Sequence, residues 1–75
     1  MLIKYQKNIV NLDMVTDVVR SDENEKRITF YYPFMQDGEI SITFLEFSSK
    51  DRRDEAISQI LADYHSNAKV CYLED

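Results

Sequence analysis

The chain has one cysteine, one glycine, one proline, one histidine and no tryptophan, and each shortage closes a class of function. A lone Cys71 permits no internal disulfide, and one Cys with one His cannot supply the four ligands of a structural zinc site. A single Gly38 cannot build the glycine-rich turn through which backbone N–H groups approach a phosphate, so nucleotide hydrolysis is not expected. No run approaches the roughly 18 apolar residues of a membrane-spanning helix, and the stretch Met1 to Lys7 lacks the apolar core of a secretory signal. A cytoplasmic protein is expected, since an unpaired thiol suits a reducing compartment. There is no basic cluster to displace counterions from phosphate, which argues against DNA or RNA as partner. No repeat, low-complexity tract or linker divides the chain, so residues 1–75 read as one domain.

What is present is apolar. Of the 75 residues 44% are hydrophobic and nine are aromatic, far more than a disordered segment carries. A chain this short buries only about 60% of its unfolded surface, so help from a partner or a second copy is in keeping with its size. The net charge of −5 is thinly spread: residues 1–27 hold five charges of each sign, 28–49 three negative, 50–69 four of each, and 70–75 two negative.

The periodicities predict an α+β domain. Leu2-Ile3-Lys4-Tyr5 and Ile9-Val10-Asn11-Leu12 flank the polar Gln6-Lys7-Asn8 as a short hairpin would. The β-branched run in 14–20 predicts a strand, and 21–26, without an apolar residue, an exposed loop. In 27–34, Ile28, Phe30, Tyr32 and Phe34 fall on one face with Thr29 and Tyr31 on the other, and Pro33 belongs at a strand end or edge. Asp37-Gly38 between alternating runs is a hairpin signal. It predicts a return strand over 39–47, with Ile40, Ile42 and Phe44 joining the core face and a bulge near Phe44-Leu45. Ser48 stands three residues before Asp51 as in a capping box, with Ser49 and Asp51 as other caps for a helix over 49–66. Ala56, Ile57, Ile60, Leu61 and Tyr64 form its apolar stripe, and Arg53 lies outside it. Asn67 suits a left-handed stop. Lys69 to Leu73 predicts a last strand that returns beside the sheet.

Few residues invite chemistry. Cys71 and His65 would form a nucleophile and base only within hydrogen-bond reach, and they fall on different elements without a third orienting group. His65 also suits the negative end of the helix dipole, and Cys71 between Val70 and Tyr72 reads as a packing residue. Asp22, Asn24 and Lys26 start like a calcium loop, but Lys26 stands where an oxygen is wanted and no glycine follows. No catalytic, metal or cofactor site is assigned, and the chain is not expected to be an enzyme.

The expected function is protein–protein contact. Tyr31, Thr29 and Thr43, with Leu45 at the rim, are expected on the far face of the central strands, which is either the second side of a small roll-like core or an apolar-rimmed partner surface, extended by Phe34 and Met35 if the chain twists near Asp37-Gly38. Open strand edges offer strand addition, and a homodimer through such an edge would cover it. The runner-up is an acidic inhibitor that occupies a basic site on a nucleic-acid-handling protein, using Asp22, Glu23, Glu25, Asp37, Glu39, Glu46, Glu74 and Asp75.

The segment Ile9-Val10-Asn11-Leu12-Asp13-Met14-Val15-Thr16, the hairpin strands, the Ala-Ile-x-x-Ile-Leu helix and the closing Lys69-Val70-Cys71-Tyr72-Leu73 resemble short hypothetical proteins of bacteria and their phages. Those share an I-N-L-D-x-V opening, a Ser-capped acidic helix and an aromatic closing strand. The resemblance implies a sheet-and-helix domain, sometimes encoded on mobile elements, and assigns no catalytic residue. In the Asn11-Leu12-Asp13 corner, polar side chains are expected to satisfy backbone N–H groups while Leu12 anchors the turn to the core.

Overall fold

A computed structural model of the chain describes residues 1–21 and 24–75. It is α+β: β1 (Leu2–Tyr5), β2 (Asn8–Asn11), a 3-10 turn (Leu12–Met14), β3 (Asp17–Arg20), β4 (Arg27–Gln36), β5 (Glu39–Glu46), helix α1 (Lys50–His65) and β6 (Val70–Leu73). The strands form two three-stranded sheets, ordered β2-β1-β6 and β3-β4-β5. Both expected hairpins are present, and β6 closes the first sheet by pairing in parallel with β1, Ile3 beside Cys71 and Tyr5 beside Leu73. Among the described residues no helix is long and apolar enough to cross a membrane.

Local chemistry fixes the turns. Asp37 and Gly38 both have positive φ, 54° and 82°, the two-residue geometry whose twist matches that of the strands it joins. Asn67 takes φ 59° just beyond α1. Asn11 Oδ1 accepts from Asp13 N–H at 3.1 Å, and Leu12 packs against the core, so the corner works as expected. Of the three candidate caps Ser49 is the one used: its Oγ accepts from Arg52 N–H at 3.1 Å. The strand expected over 14–20 is shorter, because Leu12–Met14 is taken up by the 3-10 turn and pairing starts at Asp17.

One core joins both sheets to the helix. Ile3, Tyr5, Val10, Cys71 and Leu73 come from the first sheet, Ile28, Phe30 and Leu45 from the second, Phe47 from the segment after β5, and Ala56 and Ile60 from α1. The register corrects the expected phase of β5. Ile28 pairs with Leu45, Phe30 with Thr43, Thr29 with Phe44 and Tyr31 with Ile42. Residues directly opposite share a face, so Leu45 belongs with Ile28 on the helix side, while Ile40, Ile42 and Phe44 stand on the far face. The irregularity lies in β4 rather than near Phe44: between the Tyr31–Ile42 and Met35–Ile40 pairs, Tyr32, Pro33 and Phe34 stand opposite Ser41 alone. This is beyond the last β3 pair, Asp17 with Tyr31, where Pro33 deprives no β3 neighbour of a donor.

The helix stripe is also displaced. Ala56 and Ile60 are buried, but Leu61 and Tyr64 are more than half exposed, and Arg53, expected outside the stripe, is only 2% exposed. Its buried guanidinium is satisfied by Asp54 Oδ1, which accepts from Nε at 3.0 Å and from Nη2 at 2.8 Å.

Candidate interaction surface

The far face of β3-β4-β5 is assembled by alternation along three paired strands. Across it run the rows Arg27–Glu46, Val19–Thr29–Phe44, Asp17–Tyr31–Ile42 and Met35–Ile40. The helix covers the opposite side, so Val19, Met35, Ile40, Ile42 and Phe44 remain 40% to 64% exposed. Tyr31 is half-buried among them. At one end the Arg27 guanidinium carbon lies 4.1 Å from the Phe44 ring centroid and pairs with the Glu46 carboxylate. A cation over an aromatic face is attracted by the ring quadrupole, so the rim at this end is polar.

Of the five residues expected on this surface, Tyr31 and Met35 are there. Thr29 faces the same way but is 7% exposed, which makes it the floor between Val19 and Phe44 rather than a contact. Thr43 is on the other side: it is opposite Phe30, and Tyr32 Oη lies 3.2 Å from its Oγ1 in a hydrogen bond. Leu45, expected at the rim, is in the core. Phe34 is exposed past the irregular stretch and stacks on Tyr32, ring centroids 5.5 Å apart, beside the patch. Sequence reasoning missed Val19 on β3, and on β5 it missed Ile40, Ile42 and Phe44, whose alternation with Ser41 and Thr43 is visible in the sequence while its direction is not.

A second apolar feature lies on the helix side. Leu12, Val18, Ile57, Ile60, Leu61 and Tyr64 line a groove of about 290 Å³ between α1 and β3. Val18 is opposite Phe30 and so points toward the helix, yet α1 stops short of covering it.

The chemistry-bearing residues remain apart. Cys71 is fully buried, and burial, reinforced by Asp63, pushes its thiol up to about 12, the reverse of what a nucleophile needs. His65 is exposed and lies edge-on to Tyr64, centroids 6.3 Å apart. Among the described residues no three His, Cys, Asp or Glu side chains cluster as a metal site requires. The candidate acids of the inhibitor reading are divided: Asp37 and Glu39 flank the β4–β5 turn, whereas Glu25 and Glu46 are at the other end of those strands. Glu46 is paired with Arg27, and Asp75 Oδ1 accepts from Ser48 N–H at 2.8 Å. Asp22 and Glu23, with the start of the calcium-like loop, lie outside the described residues.

Comparison with protein-family models, with curated proteins and with solved structures returns no match for this chain, so the functional reading rests on its own geometry.

Proposed function

We propose that this chain is a non-catalytic protein-interaction module of the cytoplasm that binds a protein partner through the far face of β3-β4-β5. The observation that carries the reading is the uncovered row of Val19, Tyr31, Ile42 and Phe44, continued by Met35 and Ile40. Val19, Met35, Ile40, Ile42 and Phe44, each 40% to 64% exposed, stand together on this face as one apolar patch. The largest apolar patch on a monomer is often its functional one, and polar residues rim this one at the Arg27–Glu46 end. Tyr31 adds a large contact with few rotatable bonds and a hydroxyl, the side-chain type favoured at binding hot spots. The outer helix surface, with Lys50, Arg52, Glu55, Gln59 and Asp63, is mixed in charge, and its long side chains are costly to order.

The test is retention of partner protein by immobilised wild type, Tyr31→Ala, Ile42→Asp and Gln59→Ala chains at low and high salt. The face reading expects retention at both salt concentrations, lost in the first two variants and kept in Gln59→Ala. Retention that survives Ile42→Asp and disappears in high salt would instead favour binding through carboxylates, the acidic-inhibitor alternative.

A further inference from the structure

The first turn of α1 departs from the local rule for a helix start. It reads Lys50-Asp51-Arg52-Arg53, with three cations at the end where the helix dipole favours anions. Arg52 is turned to Glu55 at 3.3 Å. Lys50 makes no ion pair among the described residues, and with Arg53, Arg20, Ser21 and Glu25 it lines a cavity of about 140 Å³ between the helix start and the end of β3. Arg20 is opposite Ile28 and so lies on the helix side of its sheet. It is 62% exposed and reaches Asp54 only at 3.8 Å. Arg53 is the fixed member: its side chain is 3% exposed, and its Nε and Nη2 both donate to one oxygen, Asp54 Oδ1. Its Nη1 makes no hydrogen bond among the described residues and is not sealed from solvent. A guanidinium held in a largely dry wall attracts an anion more strongly than one in open water. The three cations act on one place. The Asp54 carboxyl is held below its ordinary value by the Arg53 hydrogen bond first, against some desolvation, and then by the charges of Arg53, Arg20 and Lys50.

We propose that this cavity binds the phosphoryl group of a phosphate monoester, carried by a small molecule or by a phosphorylated side chain. Arg20, Lys50 and Arg53 face two acids, Asp54 and Glu25, so a positive charge is left for an anion. A phosphoryl dianion brings three strong acceptor oxygens, enough for Arg53 Nη1, the Arg20 guanidinium and the Lys50 ammonium together, where a carboxylate brings two. Ser21 Oγ accepts from Asn24 N–H at 3.1 Å, which leaves its own O–H to donate. The volume is that of four or five waters at roughly 30 Å³ each, room for one oxyanion while the rest of the ligand stays outside. The net charge of −5 repels further phosphates, so a single phosphoryl group fits the site and a polynucleotide does not. Arg20 and Lys50 come from different elements, and no run of basic residues announces the site in the sequence. It lies on the helix side of β3, away from the far face, and does not rest on the interaction reading.

Heteronuclear NMR of the isotope-labelled full chain tests this by titration with inorganic phosphate, glycerol phosphate and a phosphoserine tripeptide, against sodium chloride at matched ionic strength. Wild type is expected to show saturable shifts at the amides of Ser21, Lys50 and Arg53 and at Arg53 Nε–H, and none in chloride. Whichever of the two esters binds more tightly than inorganic phosphate names the source of the group. Lys50→Gln and Arg20→Gln, both at exposed positions, are each expected to weaken binding about tenfold, the loss of one charge-assisted hydrogen bond. Glu25→Gln removes a like charge from the wall and is expected to tighten binding about threefold. Lys69→Gln, exposed and outside the cavity, is expected to leave the affinity unchanged. Shifts that grow without saturation, that appear equally in chloride, or that survive Lys50→Gln and Arg20→Gln undiminished overturn the proposal. Ile42→Asp is expected to bind phosphate as wild type does, so failure of this site and failure of the far-face reading are seen separately.

Discussion

The Tyr5 hydroxyl donates to the Glu46 carbonyl at 2.6 Å, tying the end of β1 in the first sheet to the end of β5 in the second. Tyr5 is buried and its ring lies 4.6 Å from that of Phe47. The bond and the ring contact join the two sheets at this end of the core. Tyr5→Phe keeps the ring packing and removes only the bond, so urea denaturation should show a loss of about 1 kcal/mol. An unchanged midpoint would mean that the ring, and not the hydroxyl, joins the sheets.

The register makes opposite demands of neighbouring residues in β5. Leu45 is in the core and Ile42 is on the far face. Leu45→Ala should therefore cost about 2–5 kcal/mol by opening a cavity, and Ile42→Ala about 0.5 kcal/mol or less. Ile60→Asp, which sets an unpaired charge against the same core, should abolish the cooperative melt. Equal sensitivity at positions 42 and 45 would contradict the pairing of Ile28 with Leu45.

That pair of residues also shows where the sequence stopped being legible. Alternation located β4, β5 and the Asp37-Gly38 turn, and the Ser and Asn signals bounded α1. In β5, though, apolar residues occupy both phases: Ile40, Ile42 and Phe44 in one, Leu45 and Phe47 in the other. Local pattern cannot choose between them, because the choice is made by pairing with Ile28 and Phe30 and by which side α1 covers. The uncovered Val18 and the parallel pairing of β6 with β1 are likewise set by contacts distant in sequence. Tyr31 and Met35 share the far face because the irregular stretch around Pro33 leaves them opposite Ile42 and Ile40, whereas Thr43, in the other phase of β5, stands opposite Phe30.

Burial raises the Cys71 thiol to about 12 and, with help from Asp75, raises the Tyr5 hydroxyl. Both groups are favoured in their neutral forms by the fold. Their contribution is complete below the unfolded values, about 8.5 for Cys and 10 for Tyr, and is lost as pH climbs toward the folded ones. Stability measured by urea should fall steadily through that alkaline range, and Cys71→Ala should flatten the fall. A thiol reagent at neutral pH should label Cys71 only at the rate of unfolding. Immediate labelling of the native chain would show that the thiol is open and ionisable.

The Arg53 hydrogen bond, opposed by some desolvation and aided by the charges of Arg53, Arg20 and Lys50, holds the Asp54 carboxyl below its ordinary value. A depressed carboxyl stabilises the fold above its unfolded value of about 3.9 and loses that effect as pH falls through the folded one. Asp54→Asn should lower the melting temperature near neutral pH, and the gap to wild type should close in acid. Asp51→Asn, at the helix start without the Arg53 bond, should show a smaller gap. A gap for Asp54→Asn that is independent of pH would mean that Arg53 is satisfied by something other than the carboxylate charge.

Photo-crosslinking in cells that carry the protein tests the interaction face most directly, with p-benzoylphenylalanine placed at Ile42 in one chain and at Gln59 in another. Ile42 is on the uncovered face of β5, and Gln59 on the outside of α1, bonded to Asp63 at 3.0 Å. The account predicts a discrete adduct from position 42 and none from position 59, with the Ile42 adduct lost when Tyr31→Ala is added. An adduct from position 59 alone, or an adduct from position 42 that survives Tyr31→Ala undiminished, would contradict it.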